Sequence, residues 1–210
     1  MNKNDLVLYL VTDRDMVHNT TLEIAIERAI LGGVTIVQLR EKKLSHDEFV
    51  RRAKRVKVIC DRYNIPLIIN DNVDVCREVN ASGVHLGSQD MSIAQARNIL
   101  GNDKIIGASA RSVVMAKRAE MQGADYLGVG AVFGTSTKSD AVTISPSILK
   151  DIASSVDIPV VAIGGVSLEN VEKLKDTCIS GVAVISSILK SNDIMSTSMT
   201  FREKLKEVIK

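Results

Sequence analysis

Short apolar segments of strand length recur along the whole chain and limit the folds that it can adopt. Each segment is continuously apolar rather than alternating, a pattern typical of parallel strands that are covered on both faces. Between the segments lie longer stretches with apolar residues at helical spacing. The eight segments are residues 7–11, 35–39, 67–69, 84–86, 105–108, 126–129, 160–163 and 182–185.

Helix-start signals precede several of the intervening stretches. Ser45 and Glu48 form a capping-box pattern, and Ser145 precedes Pro146, which is favoured at the first position of a helix. Ser167 likewise predicts the start of a helix after the seventh segment. Eight strands that alternate with helices can close as a (β/α)₈ barrel or form an open, doubly wound sheet.

The end of the first strand favours the closed barrel. The sequence Leu10-Val11-Thr12-Asp13 stands where a dinucleotide-binding fold would carry G-x-G-x-x-G. Polar residues also follow nearly all the strands, instead of collecting at one switch point of an open sheet. We therefore predict an α/β protein in which residues 1–210 form one domain, a (β/α)₈ TIM barrel.

Composition and charge narrow the classes of function. The chain has 210 residues, 45% hydrophobic and 25% charged, which suits one globular domain. A net charge of +2 and only 3% aromatic residues argue against a dedicated nucleic-acid binder. No apolar run approaches the roughly 20 residues that span a bilayer. Cys60, Cys76 and Cys178 lack metal-ligand spacing and are expected to be reduced, buried thiols, so we predict a cytoplasmic protein with no membrane partner.

Cationic and amide side chains follow the second strand. Strand alternation directs Gln38, Arg40 and Lys42 to the same side. In a barrel this segment shares one face with the loops that follow the other strands. Two cations and an amide favour a polyanionic ligand, whereas a solvated charged turn is the competing interpretation.

Carboxylates follow the third and fourth strands. Asp71 comes directly after Asn70, and Asp90 lies in the loop after the fourth strand. Facing carboxylates repel unless a proton or a cation lies between them, and Mg²⁺ is commonly bound by one or two carboxylates, water and phosphate oxygens. Helix capping or loop turning is the alternative role for each aspartate. His85 is an acid or base by residue type, but its place within a strand favours a structural role, and Asp13 is interpreted similarly.

Hydroxyl residues and glycines follow the later strands. Residues 135–138, Thr-Ser-Thr-Lys, form a loop that could bind an anion through backbone amides and a cation, or be a surface turn. Gly164 and Gly165 after the seventh strand, with Ser186 opening a helix after the eighth, match the usual phosphate site of a barrel. The sequence therefore predicts one metal-bound polyphosphate and one separate monophosphate on the same face.

Taken in order, these strand ends resemble the thiamine phosphate synthase family. The resemblance rests on the segments LYLVTD, VQLREK, LIIND and GVHLG, on T-x-T-K-x-D-A within residues 123–141, and on residues 159–165 and 181–186. It spans nearly the whole chain. Ser88 departs from the pattern, since glutamine is commoner after His-Leu-Gly, but Asp90 keeps its place.

The resemblance implies a transferase that joins 4-amino-2-methyl-5-hydroxymethylpyrimidine diphosphate to 4-methyl-5-(2-hydroxyethyl)thiazole phosphate, releasing pyrophosphate and giving thiamine phosphate. It implies small-molecule substrates, a homodimer, and one Mg²⁺ per subunit held by Asp71 and Asp90. The implied catalytic residues are Lys138, Arg40 and Ser109. The implied pyrimidine diphosphate ligands are Gln38, Leu39, Arg40, Glu41, Lys42, Asn70, Ser109 and Lys138. The implied thiazole phosphate ligands are Thr135, Ser136, Thr137, Gly165, Ile185 and Ser186.

Two other functions stay open on the same fold. A thiazole tautomerase would transfer protons and would have no diphosphate to hold, so loss of the Asp71 and Asp90 pair or of Lys138 would favour it. Both features are present here. A non-catalytic regulator that binds thiazole or thiamine phosphate could use the same barrel, although the metal and leaving-group residues argue against it.

Overall fold

A computed structural model describes residues 3–134 and 143–209 and contains eight parallel strands closed into a barrel. Each strand pairs with its neighbours in sequence, and the last strand closes on the first with Leu10 opposite Val184. This closure confirms the predicted (β/α)₈ barrel. The strands are β1 (Leu8–Val11), β2 (Ile36–Leu39), β3 (Leu67–Asn70), β4 (Gly83–Leu86), β5 (Ile105–Ala110), β6 (Tyr126–Gly130), β7 (Val160–Ile163) and β8 (Gly181–Val184).

Helices surround the barrel and begin at the capping residues that the sequence indicates. Ser45 precedes the helix His46–Arg62, where its Oγ accepts the Glu48 N–H at 3.4 Å and its own N–H donates to the Glu48 carboxylate at 3.0 Å. Pro146 is the first residue of the helix Pro146–Ala153, directly after the Ser145 cap. The α-helices are α1 (Leu22–Leu31), α2 (His46–Arg62), α3 (Val73–Glu78), α4 (Ile93–Leu100), α5 (Val113–Met121), α6 (Pro146–Ala153), α7 (Ser186–Leu189) and α8 (Ile194–Val208).

The segment after β7 differs from the prediction, because no α-helix begins at Ser167. Only a 3₁₀ helix, Val171–Leu174, forms there. The Asn170 side chain accepts the Ser167 N–H at 2.8 Å and donates to the Gly165 carbonyl at 2.8 Å. The Ser167 carbonyl still accepts the Val171 N–H at 3.0 Å, as in a helical turn, but the chain continues only as the 3₁₀ helix, and Asn170 ties the loop back to Gly165.

Two layers of apolar side chains form the core. The outer layer lies between the strands and the helices, and it includes the fully buried Leu8, Leu39 and Phe201. The inner layer fills the barrel. Its members are Leu6, Tyr9, Val11, Ile36, Ile68, Tyr126, Val161 and Ala183. The inner layer closes the interior from below, so a ligand can enter only from the end where the strand-to-helix loops lie.

Two further predictions from the sequence concern the cysteines, expected to be buried thiols, and the lack of a membrane-spanning segment. Cys60 and Cys76 are buried, and burial raises the pKa of the Cys60 thiol to about 12. Cys178 is exposed, so the expectation of a buried thiol was wrong there. It lies at φ +60° in the turn before β8, a conformation typical of surface turns. No helix within the described ranges is both long and apolar enough to cross a membrane.

Candidate active site

A cavity of about 290 Å³ opens at the carboxyl ends of the strands. Its floor is the inner apolar layer, and its walls carry side chains from most of the strands. Predicted residues that line it are Gln38, Arg40, Lys42, Asn70, Asp71, Asp90, Ser109 and Ile185. Side chains far apart in the sequence therefore meet at the face where barrels carry their active sites.

The end of β2 divides its side chains between the cavity and the outer layer. Gln38, Arg40 and Lys42 line the cavity, as strand alternation predicts. Leu39 and Glu41 do not face it. Leu39 is fully buried in the outer layer, and the Glu41 carboxylate accepts a hydrogen bond from Arg52 Nη1 on α2 at 2.9 Å. The roles in diphosphate binding that the resemblance gives Leu39 and Glu41 stay predictions, and only their backbones could fulfil them.

The Glu41–Arg52 ion pair is mostly buried. The side chains are 4% and 18% exposed, respectively. Ion pairs at this depth fix geometry more strongly than exposed pairs, because neither charge can return to water without moving the backbone. The pair therefore fixes the segment that carries the cationic side chains on either side of Glu41.

Asp71 adopts a left-handed backbone conformation between β3 and α3, with φ +62°. Aspartate is one of the few residues other than glycine that tolerate this region. Its N–H donates to the His85 carbonyl at 2.8 Å, and Asn72 caps α3 by accepting the Val75 N–H at 2.9 Å. These bonds hold the sharp turn that brings the Asp71 carboxylate beside the cavity.

Asp71 and Asp90 form a hydrogen-bonded carboxyl pair beside Lys42. Burial favours the neutral form of Asp71, but the bonds from Lys42 and Asp90 outweigh it and lower the pKa of Asp71. Burial and the neighbouring Asp71 raise the pKa of Asp90, although the Gly87 N–H donates to Asp90 Oδ2 at 2.7 Å. The pair therefore holds one carboxylate firmly ionised, while ionisation of the second is opposed unless a cation arrives.

A continuous chain of hydrogen bonds lies beneath these charged groups. Gln38 Nε2 donates to Tyr9 Oη at 2.8 Å, and Tyr9 Oη lies 2.7 Å from Tyr126 Oη. Tyr126 Oη lies 2.9 Å from His85 Nδ1, and His85 Nε2 lies 3.0 Å from Ser109 Oγ. We call these five residues the polar chain. It connects β2, β1, β6, β4 and β5 across the barrel interior.

The sequence did not identify Tyr9 and Tyr126 as site residues, and it favoured a structural role for His85. All three line the cavity. Glycines within strands were the one sequence signal that could have indicated these rings, because a glycine in a strand often marks the close approach of another group. A Cβ on Gly107 would lie 2.1 Å from Tyr126 Cζ, and a Cβ on Gly128 would lie 3.0 Å from His85 Cε1. Both glycines make room for rings of the polar chain.

The residues predicted to bind the thiazole phosphate lie partly at a second, smaller cavity. Gly165, Ile185 and Ser186 line it, beside the main cavity, and Ile185 lines both. Gly165 has φ +69°, and its backbone approaches residue 134 so closely that a Cβ would lie 2.4 Å from that carbonyl oxygen. Four predicted residues lie outside the described residues: Thr135, Ser136, Thr137 and Lys138.

Two further polar residues are Arg111, at the cavity mouth, and Asp13, beside Arg40. Arg111 lines the cavity two positions beyond Ser109, and no motif had indicated it. Asp13 caps the 3₁₀ helix Arg14–Met16 by accepting the Asp15 N–H at 3.1 Å, and it lies 3.8 Å from Arg40 Nη1. Asp13 thus has the structural role that the sequence favoured.

Comparison with known proteins identifies the family. The sequence model of the family described as thiamine monophosphate synthase matches residues 8–188. The thiamine-phosphate synthase of Clostridium tetani is 54% identical over 194 residues, which cover 92% of this chain and 93% of that protein. The thiamine-phosphate synthase of Ruminiclostridium cellulolyticum is 51% identical over 207 residues, which cover 99% and 97%. A solved thiamine phosphate pyrophosphorylase from Pyrococcus furiosus matches with a TM-score of 0.91 and 37% identity, covering 99% of both chains. The chain belongs to the thiamine monophosphate synthase family.

Proposed function

We propose that this protein joins 4-amino-2-methyl-5-hydroxymethylpyrimidine diphosphate to 4-methyl-5-(2-hydroxyethyl)thiazole phosphate, giving thiamine phosphate and pyrophosphate. The observation that carries the proposal is the cavity itself. One mouth brings together two cations, Arg40 and Lys42, and a carboxyl pair, Asp71 and Asp90, above the polar chain. Curated thiamine-phosphate synthases that match nearly the full chain at about half identity support the same reaction.

The carboxyl pair suits a magnesium ion that arrives with a diphosphate. Among the described residues, Asp71 and Asp90 are the acidic side chains that line the cavity, and no group of three or more His, Cys, Asp or Glu side chains that could hold a metal occurs. Mg²⁺ is commonly bound in this way, with water and phosphate oxygens completing its octahedron. The raised pKa of Asp90 fits this role, because a cation would remove the repulsion that opposes its ionisation. When bound, Mg²⁺ would neutralise charge on the diphosphate.

The cationic residues of the site would stabilise pyrophosphate as it leaves. Breaking the bond between the methylene carbon and oxygen places additional negative charge on the leaving group. Arg40 and Lys42 line the cavity, and fixed positive charge there lowers the energy of that state. Lys138, predicted to share this role, lies outside the described residues.

No protein nucleophile is needed for the reaction. The electron-rich aminopyrimidine ring can support a cation at its methylene carbon, and the thiazole nitrogen then attacks that carbon. Gln38, Asn70 and Ser109 line the cavity and would hold the ring, which places the two reacting atoms close together. The smaller cavity at Gly165 and Ser186 would hold the thiazole phosphate beside it.

A turnover assay tests the proposal. The purified protein is incubated with both substrates and Mg²⁺, and pyrophosphate and thiamine phosphate are measured. We expect both products in equal amounts. A thiazole tautomerase would release no pyrophosphate, and a non-catalytic regulator would bind thiazole or thiamine phosphate without turnover. Either result would overturn the proposed reaction.

The location and the assembly of the enzyme belong to the same proposal. We propose a cytoplasmic homodimer that acts on small molecules and has no nucleic-acid partner. A net charge of +2 and the absence of membrane-spanning helices among the described residues are compatible with it. Light scattering of the purified protein would measure the mass of the assembly.

A further inference from the structure

The segment that follows β2 carries both cations of the proposed diphosphate site, and β1 holds the start of that segment. The Arg40 N–H donates to Thr12 Oγ1 at 3.0 Å, and the Thr12 N–H donates to the Gln38 carbonyl at 2.9 Å. Thr12 directly follows β1 and is fully buried. These two bonds fix the backbone where the chain leaves β2.

One residue further along, the segment is held by an ion pair with the second turn of α2. Arg52 Nη1 lies 2.9 Å from Glu41 Oε1, and the two side chains are 18% and 4% exposed, respectively. Arg40 and Lys42 line the cavity, whereas the Glu41 carboxylate between them is directed to the helix. The ion pair therefore holds residues 40–42 from the side opposite the cavity.

A second ion pair on α2 shows why burial matters here. Arg62 Nη1 also lies 2.9 Å from a glutamate oxygen, Glu27 Oε1 on α1, but these side chains are 59% and 31% exposed. Exposed pairs contribute little, because water competes for both charged groups. A buried pair cannot separate without leaving a charge uncompensated. The Glu41–Arg52 pair can thus restrain the backbone in a way that the Glu27–Arg62 pair cannot.

We propose that Arg52 is a positioning residue for diphosphate binding. Through the Glu41 carboxylate it fixes residues 40–42, so that the two cations of this segment face the diphosphate before it binds. Arg52 is not among the described residues that line the cavity, so it acts through Glu41. Without the pair, the ligand would have to order the segment itself, and that ordering would weaken its binding. The inference rests on the proposed function, because that function brings a diphosphate to these cations.

The effect of losing Arg52 should be confined to one substrate. The smaller cavity proposed for the thiazole phosphate is formed after β7 and β8 by residues that include Gly165 and Ser186. Arg52→Met should raise the KM of the pyrimidine diphosphate about tenfold, the worth of one hydrogen bond to a charged group. It should leave the KM of the thiazole phosphate unchanged. Arg62→Met is the matched control, and it should leave both KM values at the wild-type level.

A double variant separates positioning from stability. Arg52→Met alone leaves the buried Glu41 carboxylate without its partner, so it should also lower Tm. Replacing a buried ion pair by apolar side chains is often neutral for stability, so Glu41→Leu combined with Arg52→Met should regain the wild-type Tm. An apolar contact has no fixed direction, so the raised KM should persist. Recovery of Tm and KM together would mean that the pair only supports the fold, and would overturn the positioning role.

Binding of pyrophosphate gives a measurement that does not need turnover. Calorimetric titration with pyrophosphate, in the Mg²⁺ buffer of the turnover assay, measures Kd for the wild type and for each variant. We expect Arg52→Met to bind pyrophosphate about tenfold more weakly than Arg62→Met does. An equal Kd for these two variants, or no binding by the wild type, would overturn the inference.

The outcomes separate this inference from the proposed function. No release of pyrophosphate by the wild type with both substrates would overturn the proposed function, and the pyrophosphate titrations would still decide the role of Arg52. Normal turnover by the wild type, with the same KM values in Arg52→Met and Arg62→Met, would keep the proposed function and overturn the inference.

Discussion

The carboxyl pair should destabilise the metal-free protein while enabling it to bind Mg²⁺, and substitution of each aspartate should separate these effects. Asp90→Asn removes a charge whose ionisation is opposed by burial and by Asp71. Asp71→Asn removes a charge that Lys42 stabilises. Without metal, the first variant should be more stable than the wild type, and the second should be less stable.

The size of each effect follows from exposure. The side chains of Lys42 and Asp71 are 49% and 24% exposed, so their ion pair is worth about 0.5–1 kcal/mol. Asparagine tolerates the φ of +62° at position 71, so no backbone cost is added. At position 90, asparagine can still accept the Gly87 N–H. Removing the repulsion between the Asp90 and Asp71 carboxylates should stabilise the protein by a similar free energy. For a chain of this length, each change shifts Tm by about 2–4 °C per kcal/mol.

The pH dependence of stability gives the sign of each substitution's effect independently. The pKa of Asp90 is raised on folding, so its ionisation costs stability as pH rises through that raised value. The advantage of Asp90→Asn should therefore vanish at acid pH. The pKa of Asp71 is lowered, so its contribution is present at neutral pH and is lost as pH falls through the lowered value. The two variants should differ most near neutral pH.

Thermal unfolding in EDTA at low ionic strength, repeated with Mg²⁺ and pyrophosphate, measures both effects. Mg²⁺ and pyrophosphate at a hundredfold excess over Kd should stabilise the wild type by about 2.7 kcal/mol. Both variants should lose most of this stabilisation, and they should also lose most of the catalytic activity. In EDTA, a lower Tm for Asp90→Asn than for the wild type would refute the repulsion between the Asp71 and Asp90 carboxylates. Near-normal turnover of Asp71→Asn would refute the metal site.

Three further substitutions test other parts of the site. Lys138→Ala should lower kcat about 10²-fold in steady-state assays, and an effect confined to the KM of the thiazole would assign Lys138 to the other substrate. Arg52→Ala leaves the buried Glu41 carboxylate unpaired and should cost about 3 kcal/mol in urea unfolding, whereas less than 0.5 kcal/mol would mean that the pair is dispensable. Gly107→Ala places a Cβ 2.1 Å from Tyr126 Cζ and should cost about 3 kcal/mol, so an unchanged Tm would contradict the packing of that ring.

The barrel could be predicted because its pattern is local. Continuous apolar segments, caps such as Ser45 and Ser145, and the lack of a nucleotide-binding glycine motif each depend on a few neighbouring residues. At Ser167 the expected helix is replaced by a turn and a 3₁₀ helix, and Asn170 ties that turn to Gly165 and Ser167 through bonds that depend on loop geometry.

The cavity could be predicted only in part. Alternation placed Gln38, Arg40 and Lys42 together, since it depends only on strand geometry. The polar chain could not be derived in this way, because Tyr9 and Tyr126 stand in apolar segments and meet only when β1 and β6 face each other across the closed barrel. Buried tyrosine in such a segment is indistinguishable from ordinary core until its hydroxyl partner is known.

The barrel interior changes in polarity along its axis, and this gradient links stability to binding. Apolar residues such as Ile36 and Ile68 fill the lower end, the polar chain lies above them, and charged residues surround the mouth. The middle layer satisfies its own hydrogen bonds except at its two ends, Gln38 and Ser109, which face the cavity. A ligand with matching groups completes that layer, whereas a mismatched ligand leaves buried polar groups unpaired.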